Sequence, residues 1–282
     1  MKKVSIIGLG LIGGSLGMAI REKGLAEKVV GIPRRKETIE EAKGKGAIDE
    51  GTIELPVGVK DADLTFIATP ISAIIPTLKT IAPYLKPGAI VTDVGSTKSL
   101  IVKEAQKFIP KGVSFIGGHP MAGLEVTGMA AAKVDLFDGA AYFLTPTKKV
   151  APKALEILKS FLEKLKVRIF ILPPEEHDKI VAGISHLPLV LAISLINTIA
   201  DLKEKEEMLK VAAGGFKDTT RIAAGSPIMG RDIFLTNKKA VLKMLKKFKE
   251  SFKKLEALIK ESDSEKLMAE LEKARSIREG LS

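Results

Sequence analysis

A chain of 282 residues without cysteine has no disulfide, no thiolate nucleophile and no cysteine-ligated metal available to it. Its 45 lysines and arginines against 34 aspartates and glutamates leave a formal net charge of +11, which raises nucleic acid or an anionic membrane as partners. The distribution argues against both, because lysines such as Lys243, Lys246, Lys247 and Lys253 interleave with an apolar stripe at helical spacing while aromatic residues are scarce.

The length fits two domains. We read no apolar run long enough to span a bilayer, and Met1-Lys2-Lys3 leads straight into a strand rather than a signal peptide, so a cytoplasmic protein is expected.

Val4 to Ile7 is an apolar run followed by Gly8, Gly10 and Gly13 and then a helix-like stretch. In such a turn the first glycine permits the tight bend, the second lets backbone amides approach a pyrophosphate, and the third allows close helix packing. The helix N-terminus then faces the anion. Val29 to Ile32 reads as a second strand, completing a βαβ unit. In NAD binders a carboxylate about 20 residues beyond the glycines holds the adenosine ribose hydroxyls, whereas an arginine there accommodates a ribose phosphate. Here Pro33, Arg34 and Arg35 stand in that place. NADP is therefore the expected cofactor, with NAD as the alternative; the bland reading of both arginines is a solvated loop.

Further apolar runs follow at Leu64 to Ala68, Ile90 to Asp93, Ser114 to Ile116, Ala141 to Leu144 and Arg168 to Leu172. Helical patterns such as Ser72 to Leu85, Lys98 to Phe108 and Lys153 to Lys166 separate most of them. That alternation predicts a parallel sheet with ligands at the carboxyl ends of its strands, where Thr69-Pro70 and Gly95-Ser96 fall. At Pro173-Pro174 the strand signal stops. The expected fold is α/β: a Rossmann-type dinucleotide-binding domain over 1–173, then an all-α dimerisation domain over 174–282.

His177 to Ile199 is apolar nearly all round and reads as a helix buried on most faces. Together with an apolar-rich helix over Glu206 to Ala224, it predicts a core most economically shared with a second subunit, a homodimer. Val241, Leu245, Phe248, Phe252, Leu255 and Ile259 recur at steps of three and four, as Leu267, Leu271, Ala274 and Leu281 do less strictly. They predict a helical hairpin, its second helix capped by Asp263 or Ser264 and carrying no chemistry.

Three histidines frame the catalytic question. His119 lies in Gly117-Gly118-His119-Pro120-Met121-Ala122-Gly123, read as a loop after a strand. It could accept a hydroxyl proton while hydride leaves the attached carbon, or simply hydrogen-bond within the loop. His186 has Ala182 and Gly183 four and three positions before it, which would leave a groove beside the imidazole; taken alone, such a residue is more often a satisfied core histidine. His177, nine residues earlier, falls opposite His186 at about 100° per residue, so separate surroundings are expected. No ligand spacing for a metal is present. Arg221, near the end of a neutral, apolar helix in Asp218-Thr219-Thr220-Arg221-Ile222-Ala223, needs a carboxylate. A substrate and Asp218 one turn away are equal candidates on this pattern. Ser226-Pro227 reads as N-cap and first position of the next helix.

Taken in order, GLGLIGGSLG (8–17), DVGSTK (93–98), GGHPMAG (117–123), EEHD (175–178), SHLP (185–188), DTTRIA (218–223) and RDI (231–233) resemble the prephenate and arogenate dehydrogenase family of tyrosine biosynthesis over both domains. The resemblance implies an oxidative decarboxylation in which a cyclohexadienol loses hydride to the nicotinamide and carbon dioxide from the ring. It further implies that His119 takes the ring hydroxyl's proton with Ser96 assisting, that His186 is a second active-site histidine, and that Arg221 holds a substrate carboxylate. Glu125 and Asp178 match acidic positions near the site mouth without a chemical step. The implied cofactor residues are Gly8, Gly10, Leu11, Ile12, Gly13, Arg34, Arg35, Thr69 and Pro70. Gly230 stands where many members have tryptophan, Leu124 where a hydroxyl residue is common, and no mutase or regulatory segment is expected. Two rivals are a β-hydroxyacid or imine reductase, which His119 and Arg221 argue against, and a dimeric NADP-sensing or nucleic-acid-binding protein without turnover, supported only by net charge.

Overall fold

The computed structural model describes residues 1–281. Eight strands form one sheet: β1 (Lys3–Ile7), β2 (Lys28–Ile32), β3 (Glu50–Gly51), β4 (Leu64–Ile67), β5 (Ile90–Asp93), β6 (Ser114–Pro120), β7 (Ala141–Thr145) and β8 (Arg168–Ile171), in the order β3-β2-β1-β4-β5-β6-β7-β8. The helices α1 (Leu11–Glu22), α2 (Glu37–Gly44), α3 (Leu55–Val59), α4 (Ile71–Ile81), α5 (Ser99–Ala105) and α6 (Pro152–Glu163) connect them. Strand order reverses at β1, which lies between β2 and β4, so the ligand crevice opens beyond its carboxyl end.

The central strands are apolar on both faces because helices cover both. Ile6, Leu64, Phe66 and Ile90 enter one core, while Ile7, Ile67 and Val91 enter the other.

The expected all-parallel sheet is corrected at one pairing. β6 runs antiparallel to β7, with Gly117 opposite Thr145 and His119 opposite Phe143. That partner carries β6 on through Pro120, so His119 sits on a strand and not on the loop read from its glycine-rich surroundings. The two-residue β3 has too little local signal to be read and exists through its pairing with β2.

The remaining chain is helical: α7 (Pro174–Val181), a π-helical turn at Ala182–His186, α8 (Leu187–Ala200), α9 (Lys205–Lys210), α10 (Gly214–Thr220), α11 (Pro227–Thr236), α12 (Lys238–Glu261) and α13 (Ser264–Glu279). The helix expected over Glu206 to Ala224 is broken, because residues 211–213 separate α9 from α10 and a short 3₁₀ turn, Arg221–Ala224, follows. Gly214 and Gly215, poor helix formers, stand at the break. α12 and α13 pair as a hairpin, with Asp263 accepting from the Lys266 amide at 3.0 Å to cap the second helix. Ser226 likewise caps α11.

Contrary to the sequence reading, Pro174–Ala200 is long and apolar enough to cross a membrane by length and composition. Its first half nonetheless carries His177, Asp178 and His186, all buried and polar. The single chain by itself does not cover this helix on most faces. Only Ala192 of α8 is fully buried, and Ile184, Val211 and Leu235 stand exposed. The helices seat against the carboxyl ends of the strands through Asp232, which accepts from the Ser72 amide at 2.9 Å, and through Thr97 and Thr236, whose hydroxyls lie 2.8 Å apart.

Candidate active site

The glycine turn is built for an anion. Gly8 has φ +91°, and a Cβ there would come within 2.6 Å of the Ala68 carbonyl oxygen, so the turn closes only with glycine. At Gly10 a Cβ would meet nothing within 4 Å, which leaves open space where a pyrophosphate would lie. Gly10 also has no side chain to cap α1, and no acidic residue stands in the first turn. The first amides, Leu11 and Ile12 among them, are thus open to an anionic group. Arg34 and Arg35 follow β2 and are exposed, and Thr69 and Pro70 follow β4 across the same crevice. This arrangement fits a dinucleotide: Gly8 to Gly13 would hold its pyrophosphate, and Arg34 and Arg35 its ribose end.

Beyond β5 and β6 lies a buried polar cluster. Asp93, at the end of β5, accepts from the Gly95 amide at 2.8 Å and forms an ion pair with Lys98; neither side chain is exposed. The Lys98 ammonium also donates to the Gly118 carbonyl at 2.7 Å, tying the start of α5 to the residue before His119. Asp178, from α7, accepts from the Lys98 amide at 2.7 Å and the Ser99 amide at 2.9 Å. Its neighbour His177 places Nδ1 2.9 Å from the Asp178 carboxylate and Nε2 2.8 Å from Nδ1 of His119. Phe143 packs edge-on against His177, with ring centroids 5.0 Å apart.

His186 enters the same cluster. Its Nδ1 is 3.2 Å from Asn237 Nδ2, which donates at 2.8 Å to the Asp178 main-chain carbonyl. Its Nε2 is fully buried without a hydrogen-bond partner, and the Ser96 main chain lies beside the imidazole. The separate surroundings expected for His177 and His186 are therefore corrected. The π-helical turn at Ala182–His186 lies between them, and an i→i+5 turn advances fewer degrees per residue than an α-turn, so nine residues no longer end on the opposite side. The groove expected beside Gly183 is filled, since a Cβ there would lie 3.3 Å from the Met244 side chain of α12.

Burial governs the protonation of these groups. Burial first, then the neighbouring His177, Lys98 and His186, hold His119 well below the ordinary histidine value. His177 is lowered by burial despite its bond to Asp178, and His186 is pushed down to about 4 by burial. Burial also lowers Lys98, against the opposing pull of Asp93. Burial pushes Asp178 up, but the hydrogen bonds from His177, Ser99 and Lys98 outweigh it and hold the carboxyl below its usual range. All three imidazoles are thus neutral near pH 7.

Arg221 departs from the buried residue its pattern implies. Its side chain is 61% exposed, and the partner is Glu125, in the segment following His119, rather than Asp218. The guanidinium therefore meets the segment that follows β6 rather than its own helix. Among the described residues, no group of three His, Cys, Asp or Glu is placed to hold a metal.

Residues 16–171 match the family description "Prephenate dehydrogenase, nucleotide-binding domain", and residues 173–273 match "Prephenate dehydrogenase, dimerization domain". The chain belongs to the prephenate dehydrogenase family. It is 37% identical over 280 residues to the prephenate dehydrogenase of Bacillus subtilis, covering 99% of this chain and 76% of that one. It is also similar to the Aquifex aeolicus prephenate dehydrogenase in complex with hydroxyphenyl propionate and NAD+, with 34% identity, TM-score 0.93, and 100% and 99% of the two chains covered. The Synechocystis arogenate dehydrogenase superposes with TM-score 0.85 at 36% identity, covering 99% of this chain and 100% of that one. Membership in the prephenate dehydrogenase family overturns the hydroxyacid or imine reductase reading.

Sequence reasoning left His177, Lys98 and Asn237 without roles at this site and put Asp178 near its mouth, whereas Asp178 is buried within it. EEHD and DVGSTK contain three of the four, so the blocks themselves were the available signal. Asn237 stands in none of them and becomes visible only through its contacts.

Proposed function

We propose that the chain oxidatively decarboxylates prephenate or arogenate with NADP as the preferred cofactor, residues 1–173 binding the dinucleotide and 174–282 supplying substrate contacts and a homodimer interface. The observation that carries the reading is a neutral, buried histidine at the carboxyl end of β6, on the same edge of the sheet as a glycine turn shaped for a dinucleotide. When bound, the nicotinamide supplies the hydride acceptor. His119 takes the proton of the ring hydroxyl as the carbinol carbon loses its hydride and becomes a carbonyl. The ring carboxylate then leaves as carbon dioxide, and its bonding electrons pass through the ring to the carbonyl oxygen. The resulting phenolate recovers a proton from His119. Ser96 and His186 orient the substrate's polar groups.

Arg221 holds a substrate carboxylate. Its pairing with Glu125 is a solvent-facing one of the kind worth about 0–1 kcal/mol, so an incoming carboxylate competes at little cost. Arg221→Ala is expected to raise KM about 10–100-fold with a smaller change in kcat, since a charge-assisted hydrogen bond contributes about 1.5–3 kcal/mol. An unaltered KM in steady-state kinetics would confine Arg221 to its bond with Glu125.

NADP rests on Arg34 and Arg35, exposed after β2 with no carboxylate at the strand's end. Arg34→Asp combined with Arg35→Ala is expected to move the NADP-to-NAD ratio of kcat/KM toward NAD by at least about 10-fold, the loss of one such contact to a phosphate. A ratio that stays put would sink the preference. The activity itself is tested by mixing the protein with NADP and each substrate and following absorbance of the reduced cofactor. Silence with both substrates and both cofactors would overturn the reading. The exposed apolar residues Ile184, Val211 and Leu235 support the homodimer.

A further inference from the structure

We propose that Asp178 and His177 form a positioning relay that sets the tautomer of His119, keeping its proton on Nδ1 and turning the bare lone pair of Nε2 toward the reacting hydroxyl. The inference rests on the reading of His119 as the base and names two residues that act through it.

Counting donors along one chain of contacts fixes each proton. The Asp178 carboxylate faces donors: the Lys98 and Ser99 amides and Nδ1 of His177. A carboxylate in that setting has nothing to donate to and accepts throughout, so the proton of the 2.9 Å contact sits on His177 Nδ1. A neutral imidazole carries one proton. His177 Nε2 is therefore a lone pair, and the atom 2.8 Å away, Nδ1 of His119, must be the donor. His119 has then spent its only proton, and Nε2 is left basic. Had His119 carried its proton on Nε2, two lone pairs would face each other across a buried contact and the outer nitrogen would offer a hydrogen where an acceptor is needed.

Burial makes the choice firm. His177 is fully buried, Asp178 is 3% exposed and His119 is 6% exposed, so water does not substitute for a missing partner. Phe143 closes the side of the His119–His177 contact. Asp178 is itself anchored at both ends, by the amides at the start of α5 and through Asn237 on its main-chain carbonyl. The neighbouring charges are Asp93, Lys98 and Asp178, with one more negative than positive.

The chain has three histidines, so the imidazole nitrogen spectrum of the ¹⁵N-histidine-labelled protein is simple enough to read each tautomer. At neutral pH the full-length protein should show His119 protonated on Nδ1. His177→Leu, which removes the acceptor, should move that proton to Nε2 and lower kcat about 10²–10⁴-fold while NADP binding, followed by quenching of its fluorescence in the reduced form, stays within about twofold. His177→Gln, which retains an acceptor oxygen, should restore the Nδ1 tautomer and recover most of kcat. If His177→Leu does not fold, the wild-type and His177→Gln spectra still decide the matter. An Nε2-protonated His119 in the wild type, or an unmoved tautomer in folded His177→Leu, overturns the relay. An Nδ1-protonated His119 in a protein inert toward prephenate and arogenate strikes instead at the proposed function and leaves the relay standing.

Discussion

His119→Asn is expected to lower kcat about 10²–10⁴-fold, the usual contribution of a positioned general base, while KM stays within a few-fold. The substitution is chosen for what it keeps. The asparagine amide can still donate to His177 Nε2 from roughly the place of the His119 Nδ1, so the buried contact survives while the outer nitrogen disappears. β6 remains paired to β7 because the strand's hydrogen bonds run through the backbone. Steady-state kinetics at saturating cofactor measures the effect, and a kcat within about threefold of wild type would remove His119 from the proton transfer.

Lys98→Met should produce the largest loss of stability, about 3–5 kcal/mol, because removing one partner of a fully buried ion pair leaves the other charge uncompensated. Asp93 cannot recover that loss from water, since its side chain has no exposed surface. Its remaining partners, the Gly95 and Gly118 amides, are hydrogen-bond donors without net charge. Methionine matches the lysine stem in length and fills the same space, so the effect isolates charge and not a cavity. The Gly118 carbonyl also loses its donor directly before His119, and activity should fall with stability. Urea unfolding gives the number; a loss below about 1 kcal/mol would mean that the pair is not held in the buried, desolvated state described.

Much of this molecule was legible along the chain because its signals are local. Val4 to Ile7, the three glycines and Val29 to Ile32 lie within one βαβ unit, where strand, turn and helix depend on near neighbours, and they fold as their pattern implies. Asp263 and Ser226 cap helices for the same reason, each acting three residues away. Ordered blocks over both halves carried the family resemblance.

The misread elements share a different cause. His119 belongs to a strand only because β7, more than twenty residues later, pairs with it. His186 joins the cluster around His177 because a π-helical turn between them alters the phase of the helix, which an ideal 100° step cannot anticipate. Arg221 finds Glu125, 96 residues away, and not the Asp218 that its helix offers. Composition, local capping and the glycine turn specified the two-part chain and its cofactor cradle, since each depends on residues within a few positions of one another. The tertiary structure alone decided which titratable groups meet, because hydrogen bonds that set a tautomer or bury a charge join residues that packing, and not sequence spacing, brings within 3 Å.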